Sequence, residues 1–311
     1  MTHRIFIDGQ AGTTGLEITA RLAGRADLEL IELSDAQRKD DQHRADALRA
    51  ADVSILCLPD DAARSAVALG GEQTRYIDAS TAHRTHPDWI YGLPELRPEQ
   101  RTAIAAARFV SNPGCYPQGF ILAVRPLIEG GLLPADARLT CYGLSGYSGG
   151  GRQMVERYQA ADEHSLGARP YALQLTHKHL PEMQHYAGTK HPPVFTPVVC
   201  HYYKGMTVQV PLDLRGYGLE RQQVQRALSE RYADDEFVRV LALDDDSILD
   251  AGALDPQGCN DTNRLELMVF GNAHQVVLTA RYDNLGKGAS GAAVQNLNLM
   301  LGLDETTGLT L

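Results

Sequence analysis

The sequence predicts an α/β fold: a Rossmann-type doubly wound parallel sheet, then a second α+β domain whose sheet is mixed and largely antiparallel. Three observations carry this. Short apolar runs alternate with helical stretches over residues 3–80. A glycine-spaced loop lies directly after the first of those runs. Further on, apolar runs come in neighbouring pairs with little helix between them.

Residues 3–9 (HRIFIDG) read as a short buried strand, and an amphipathic helix follows to about Ala23. LELIEL (28–33) is a second strand, a polar helix lies near 43–50, and VSILCLP (53–59) is a third strand. DDAARSAVAL (60–69) is helical, with two aspartates at the positive end of its dipole, and RYIDAS (75–80) is a further strand. The pattern changes after Pro113. A helix is expected from about Tyr116 to Glu129, stopped by Gly130 and Gly131. Strand 139–147 runs into a glycine run, SGGGR. Strands at 194–200, 205–213, 237–243, 265–271 and 274–283 look antiparallel, interrupted by a helix near 219–232. A last helix, 288–302, has Val294, Leu297, Leu299 and Met300 at helical spacing and is expected to return to the first domain. The expected division is therefore 1–112 plus a C-terminal helical segment 285–311, and 113–284.

The bulk composition narrows the partners. A chain of 311 residues, 43% hydrophobic and 22% charged, is an ordinary globular one long enough for two domains. The net charge of −10, without a basic cluster, argues against nucleic acid or anionic membrane as the main partner. An anionic small molecule remains compatible, because a local cationic pocket can coexist with an acidic surface. The segment MTHRIFIDG lacks the apolar run of a signal peptide, and the longest apolar runs are too short to span a bilayer. A cytoplasmic protein is expected. Five widely spaced cysteines suggest reduced thiols, and the lack of a CxxC pair argues against structural zinc, so no metal is expected.

In GQAGTTG (9–15), Gly9, Gly12 and Gly15 let the backbone turn sharply between strand and helix and approach a pyrophosphate, which the helix N-terminus would hold. Thr13 and Thr14 add hydroxyl donors. The spacing GxxGxxG is weak as a pattern, and a tight turn without a ligand is the plainer alternative; its place after the first strand favours the dinucleotide. At the end of the second strand, Ser34 is followed by Arg38 and Lys39. A small hydroxyl and two cations suit a 2′-phosphate, hence NADP(H), although Glu32 and Asp35 would also fit a solvated loop.

SNPGCYPQGF (111–120) is the most informative segment. Cys115 sits in a Pro-Gly turn just before a helix, where the dipole favours thiolate. Pro117 suits the first helical turn, and Asn112 is placed to polarise a carbonyl or orient the turn. A buried structural cysteine is the commoner fate of a free thiol. That fits Cys57, Cys141 and Cys200, but fits Cys115 poorly. A reactive cysteine needs a proton carrier. The richest source is THKHLPEM (176–183), whose His177 and His179 share a side if the stretch is extended. A structural role is the alternative for each, and a metal site lacks further ligands.

Together these segments resemble the N-acetyl-gamma-glutamyl-phosphate reductases. The likeness runs in order through GQAGTTG, YGLPEL (91–96), SNPGCYP, SGYSGGGR (145–152), HKHLPEM (177–183), FTPVV (195–199) and DNLGKGASGAAVQNLNLMLG (283–302), essentially the whole chain. The short length and the loop GQAGTTG look like the compact subtype. The longer subtype has GASGYAG and SGVSGAG at two of these places. The resemblance implies that Cys115 is the nucleophile, that His177 in preference to His179 is the acid/base, and that the glycine loop binds NADP. It implies that Ser145 and Gly146, in the segment SGYSGGGR, lie on the nicotinamide side. The expected chemistry is NADPH-dependent reduction of an acyl phosphate to an aldehyde through a Cys115 thioester, in arginine biosynthesis. Arg84 and Arg152 are the candidates for the substrate's phosphate and carboxylate, because guanidinium binds both in bidentate fashion; a surface role is the alternative for each. His179 is a further candidate substrate contact. Rival readings are a reductase of aspartyl or carrier-bound aminoadipyl phosphate, or a dinucleotide-binding regulator with Cys115 as a redox switch. A homo-oligomer, dimer or tetramer, is expected from a mixed sheet with edge strands.

Overall fold

The computed structural model describes residues 2–71, 73–161 and 166–311. It divides into two compact units. One contains the chain up to Gly114 together with Ala289–Leu309; the other contains Cys115–Gly288 and the last two residues.

The first unit is built on strands β1 (His3–Asp8), β2 (Leu28–Ile31), β3 (Val53–Leu56), β4 (Tyr76–Asp78), β5 (Ile90–Tyr91) and β6 (Phe109–Ser111). Among the described residues these form one sheet in the order β2-β1-β3-β4-β6-β5, parallel throughout. Helices α1 (Thr13–Leu22), α2 (Asp41–Ala50), α3 (Asp60–Gly70) and α4 (Gln100–Ala106) connect them. Side chains alternate across a strand, so β1 sends Ile5 and Ile7 to one face and Phe6 to the other. Ile5 and Ile7 meet Ile18, Leu22 and Ile104 of α1 and α4. Phe6 meets Leu48 of α2 and Ala63 and Ala66 of α3. Both faces are covered, which is why the strands read as near-continuous apolar runs. The C-terminal helix, Gly291–Leu301, joins this unit: Val294 and Leu297 enter the Ile5 cluster. It is buried on nearly all sides, and two of its asparagines donate to backbone carbonyls of the same unit. Asn296 Nδ2 donates to Gly92 O at 2.8 Å, and Asn298 Nδ2 donates to Thr307 O at 2.9 Å. The sequence reading passed over β5, α4 and β6, and there is a physical reason. Strands of two or three residues and a helix of seven are too short to show a period.

The second unit opens with α5 (Cys115–Glu129), then β7 (Thr140–Gly146), α6 (Gly151–Gln159), β8 (Arg169–Pro170), α7 (Leu180–Ala187), β9 (Val194–Cys200) and β10 (Met206–Asp213). There follow α8 (Arg221–Arg231), β11 (Val238–Val240), the small hairpin β12 (Leu249–Asp250) and β13 (Ala253–Leu254), then β14 (Leu265–Gly271) and β15 (Gln275–Tyr282). The main sheet runs β11-β14-β15-β10-β7-β9-β8. The expected antiparallel neighbours are present in β14–β15 and β10–β15. Two strands depart from that expectation. β9 lies parallel to β7, because the chain returns to the sheet through a crossover containing α6 and α7, as parallel pairing requires. β11 is three residues long and parallel to β14. The glycine run SGGGR is likewise no open loop: Tyr147–Gly150 is a 3-10 turn, and α6 starts at Gly151.

Candidate active site

In the first unit the loop after β1 closes on itself. Gly9 has φ +92°, and a Cβ there would lie 2.3 Å from Cys57 O, so a side chain is excluded by both conformation and space. A Cβ at Gly15 would lie 2.6 Å from Gly9 O. Gly12 is the N-cap of α1 and supplies no side-chain cap, and no acidic residue occupies the first turn. The first N–H groups of α1 therefore keep their capacity for an anion, beside the half-buried Thr13 and Thr14. This is a cradle that fits a dinucleotide pyrophosphate. The region after β2 is exposed: Ser34 Oγ bonds Gln37 Oε1 at 2.9 Å, and Lys39 faces outward. Arg38 reaches back to the glycine loop, its Nη2 donating to Gln10 Oε1 at 3.2 Å. A short 3-10 turn, Gln37–Lys39, carries both cations.

Along the same C-terminal edge of that sheet, after β4 and β6, Arg84 and Asn112 are buried and tied to one another. Arg84 Nε donates to Asn112 O at 3.1 Å, and its Nη2 donates to Ala79 O at 3.0 Å. Asn112 Nδ2 donates to Ala289 O at 3.0 Å, and Asn112 Oδ1 accepts from Asn296 at 3.2 Å. Both halves of that amide are thus engaged, which suits orientation of the turn more than contact with a substrate carbonyl. A buried pair that the sequence reading missed stands beside them. His83 Nδ1 lies 2.6 Å from Asp78 Oδ2, and its ring stacks on Trp89 with centroids 4.1 Å apart.

In the second unit Cys115 is the first residue of α5, half-buried, while most of the helix behind it is fully covered. The other four thiols are poor nucleophiles. Burial pushes Cys57 up to about 12 and Cys259 up to about 11, and it raises Cys141 and Cys200 as well. Tyr116, next to Cys115, is the hub of an aromatic cluster. The rings of His177 and His179 each lie 6.0 Å from it, and Phe195 lies 5.1 Å away. Tyr171 OH donates to Tyr116 OH at 3.4 Å. Burial raises the pKa of both phenols, with the Cys115 charge adding to it, so both stay protonated. The two histidines are in a turn and not an extended stretch, because His179 takes helical φ/ψ as the N-cap of α7. Their rings still come to 4.6 Å. His179 N–H donates to His177 Nδ1 at 3.1 Å. A ring nitrogen that accepts carries no proton, so neutral His177 holds its proton on Nε2. His179 itself is buried.

The remaining residues expected at the site fall nearby in the fold or outside it. Ser145 is buried at the end of β7, and a Cβ at Gly146 would lie 2.5 Å from Tyr203 O, so that glycine answers to close backbone packing. Arg152, in the first turn of α6, is 73% exposed and ion-paired with Glu156 at 2.8 Å. Tyr116, Tyr171 and Tyr282 were not legible as site residues, since a tyrosine becomes one only through partners distant in the chain.

Residues 4–104 match the family described as semialdehyde dehydrogenase, NAD binding domain, and residues 115–284 match semialdehyde dehydrogenase, dimerisation domain. Among solved structures the chain is similar to aspartate semialdehyde dehydrogenase II from Vibrio cholerae, with a TM-score of 0.72 at 15% identity over 97% of this chain and 99% of that one. That likeness speaks for the fold alone. The N-acetyl-gamma-glutamyl-phosphate reductase 2 of a Nostoc species is 48% identical over 98% of this chain and 99% of its own length. The protein of the same name from Pseudomonas putida is 49% identical over 99% of each chain, and the reductase of a Chelativorans species is 50% identical over 97% and 99%. With that identity sustained from end to end, the chain belongs to the N-acetyl-gamma-glutamyl-phosphate reductase family.

Proposed function

We propose that the protein reduces N-acetyl-gamma-glutamyl phosphate to N-acetyl-glutamate 5-semialdehyde and phosphate, with NADPH, in arginine biosynthesis. The observation that supports this most is the position of Cys115: the first residue of a buried helix, next in the chain to Tyr116, whose ring meets the His177–His179 pair, while burial raises the pKa of the other four thiols. The Cys115 thiolate attacks the acyl carbon, the C–O bond to phosphate breaks, and a thioester forms. N–H groups near residues 114–116 bind the oxyanion of the tetrahedral intermediate. His177 Nε2–H donates a hydrogen bond to the same developing charge; as imidazolium, with a second proton on Nδ1, it gives the Nε2 proton to the departing phosphate and returns to the neutral ring. The Gly9, Gly12 and Gly15 loop, with Thr13 and Thr14, would hold NADPH, which would supply the hydride for reduction of the thioester. The tetrahedral alkoxide formed by hydride addition collapses, its C–S bond breaks, and the aldehyde and the Cys115 thiolate are released. Ser145 and Gly146 are proposed for the nicotinamide side.

Of the two arginines, Arg152 is proposed for a substrate anion and Arg84 for support of the turn that carries Asn112. The exposed Arg152–Glu156 pair is worth about 0–1 kcal/mol, so a substrate anion can recruit that guanidinium at little cost. Arg84 supports the Asn112 end of the turn. His179 is proposed to shape the pocket. Pairing of two copies is supported by the match to a dimerisation domain and by the exposed Tyr142 and Val194 on adjacent strands of the main sheet; a dimer or tetramer is proposed. A cytoplasmic location suits five free thiols; among the described residues no helix is long and apolar enough to cross a membrane.

The reading is tested in the reverse direction, with phosphate, NADP⁺ and a panel of aldehydes. N-acetyl-glutamate semialdehyde is expected to give the highest kcat/KM. A preference for aspartate semialdehyde or for non-acetylated glutamate semialdehyde would overturn it. The cofactor assignment has its own test. Arg38→Ala with Lys39→Ala should weaken NADP⁺ binding about tenfold or more, at about 1.5–3 kcal/mol for each hydrogen bond to a charged group, while NAD⁺ binding changes little. Equal weakening of both dinucleotides, measured by fluorescence titration, would remove these residues from the 2′-phosphate.

A further inference from the structure

Tyr282, the last residue of β15, is fully buried, and its hydroxyl enters the first turn of α5. The hydroxyl donates to Cys115 O at 2.6 Å and accepts from Gly119 N–H at 3.1 Å. In an α-helix those two backbone groups bond each other. Here the hydroxyl of a side chain from the sheet bonds to both of them. Gly119 is what admits it. A Cβ there would lie 2.8 Å from the Tyr282 hydroxyl oxygen, 2.9 Å from its ring and 3.0 Å from Ala280 Cβ. Burial holds the phenol pKa well above its usual value, so the group remains a donor.

A trans peptide is planar, so the Cys115 carbonyl and the Tyr116 N–H are the two ends of one rigid plate. Holding the carbonyl on one side aims the N–H on the other. The first N–H groups of a helix have no partner inside it, and Pro117 has no N–H at all. The donor set at this end of α5 is therefore narrow, and the plate carrying Tyr116 N–H is a main part of it.

We propose that Tyr282 is a positioning residue for the reaction: its hydroxyl sets the peptide plane between Cys115 and Tyr116 and so aims the Tyr116 N–H at the oxyanion, with Gly119 as the opening that lets it in. This rests on the reading of Cys115 as the nucleophile and of nearby N–H groups as the oxyanion donors.

The test is Tyr282→Phe, which keeps the ring and removes one oxygen, with Gly119→Ala as a second variant that pushes the hydroxyl away. Two rates are compared: turnover in the reverse direction, and labelling of Cys115 by iodoacetamide as a function of pH. Alkylation displaces iodide at a saturated carbon, so it needs the thiolate but forms no oxyanion. Loss of a whole oxyanion donor costs about 10²–10³ in kcat; a misaimed one should cost about tenfold to a hundredfold. The expected result is that loss in kcat for Tyr282→Phe, with KM, the labelling rate and its pH profile unchanged. Wild-type kcat in Tyr282→Phe overturns the proposal. So does labelling that slows in step with kcat, since Tyr282 would then act on the thiol or on the fold. If Tyr282→Phe does not fold, Gly119→Ala is judged by the same two rates. Turnover retained by Cys115→Ser would instead overturn the reading beneath.

Discussion

Cys115→Ser is expected to abolish turnover while leaving the fold and dinucleotide binding intact. The side chain sits at the start of α5, half-buried, and the exchange of sulfur for oxygen changes little in packing. It changes the chemistry, because a serine alkoxide is far harder to form than a thiolate. The thiolate is favoured at this position by the partial positive charge of the helix N-terminus. The same logic predicts labelling order. Cys57 is pushed up to about 12 and Cys259 up to about 11 by burial. At pH 8 a thiol three units below its pKa is thiolate in about one molecule in a thousand, so alkylation should reach Cys115 first. Mass spectrometry after a brief exposure to iodoacetamide checks this. Preferential labelling of Cys57, Cys141, Cys200 or Cys259, with activity lost in step, would move the nucleophile elsewhere.

His177→Asn should lower turnover by about 10²–10⁴-fold, the usual contribution of a positioned acid or base. Asparagine suits the question, because its Oδ1 can replace Nδ1 as acceptor for His179 N–H. The turn before α7 is then kept, and what disappears is Nε2–H. His179→Asn should do less to the chemical step and more to stability, since that ring is buried against Tyr116 and His177. Single-turnover rates of both variants across pH, set beside their thermal midpoints, separate the two roles. A crippled His179→Asn beside a near-normal His177→Asn would exchange them. Full activity and an unchanged pH profile in both would leave the mechanism without its proton donor.

Much of the first unit was open to reading along the chain. A strand buried on both faces must be apolar for several residues together, and a turn into a helix over a phosphate leaves glycines behind; both marks are local, as in residues 3–15. A helix near the C-terminus was legible from Val294, Leu297 and Met300 at helical spacing; which unit it packs on is set by the tertiary structure. The family was legible as well, from the order of SNPGCYP, YGLPEL and HKHLPEM, and the near-half identity to its members bears that out. Short elements such as β6 left no period to read. The pairing of β9 with β7 was hidden too, because a strand's own residues do not say which neighbour it will take. Arg152 shows the same limit at a single residue: nothing in SGGGR foretold a helix whose first turn pairs it with Glu156.

The sequence by itself determined the fold class, the family, and which thiol stands at a helix start, because each depends on residues close together in the chain. Only the tertiary structure decided what surrounds that thiol. Tyr116 meets two histidines about sixty residues on because α5 and the turn before α7 pack in one unit. Tyr282 reaches Cys115 O across 167 positions because the end of β15 passes beside the first turn of α5, where Gly119 leaves room for the ring. A contact of that kind is set by shape and distance in the packed state. Neither has a counterpart in the spacing of residues along the chain.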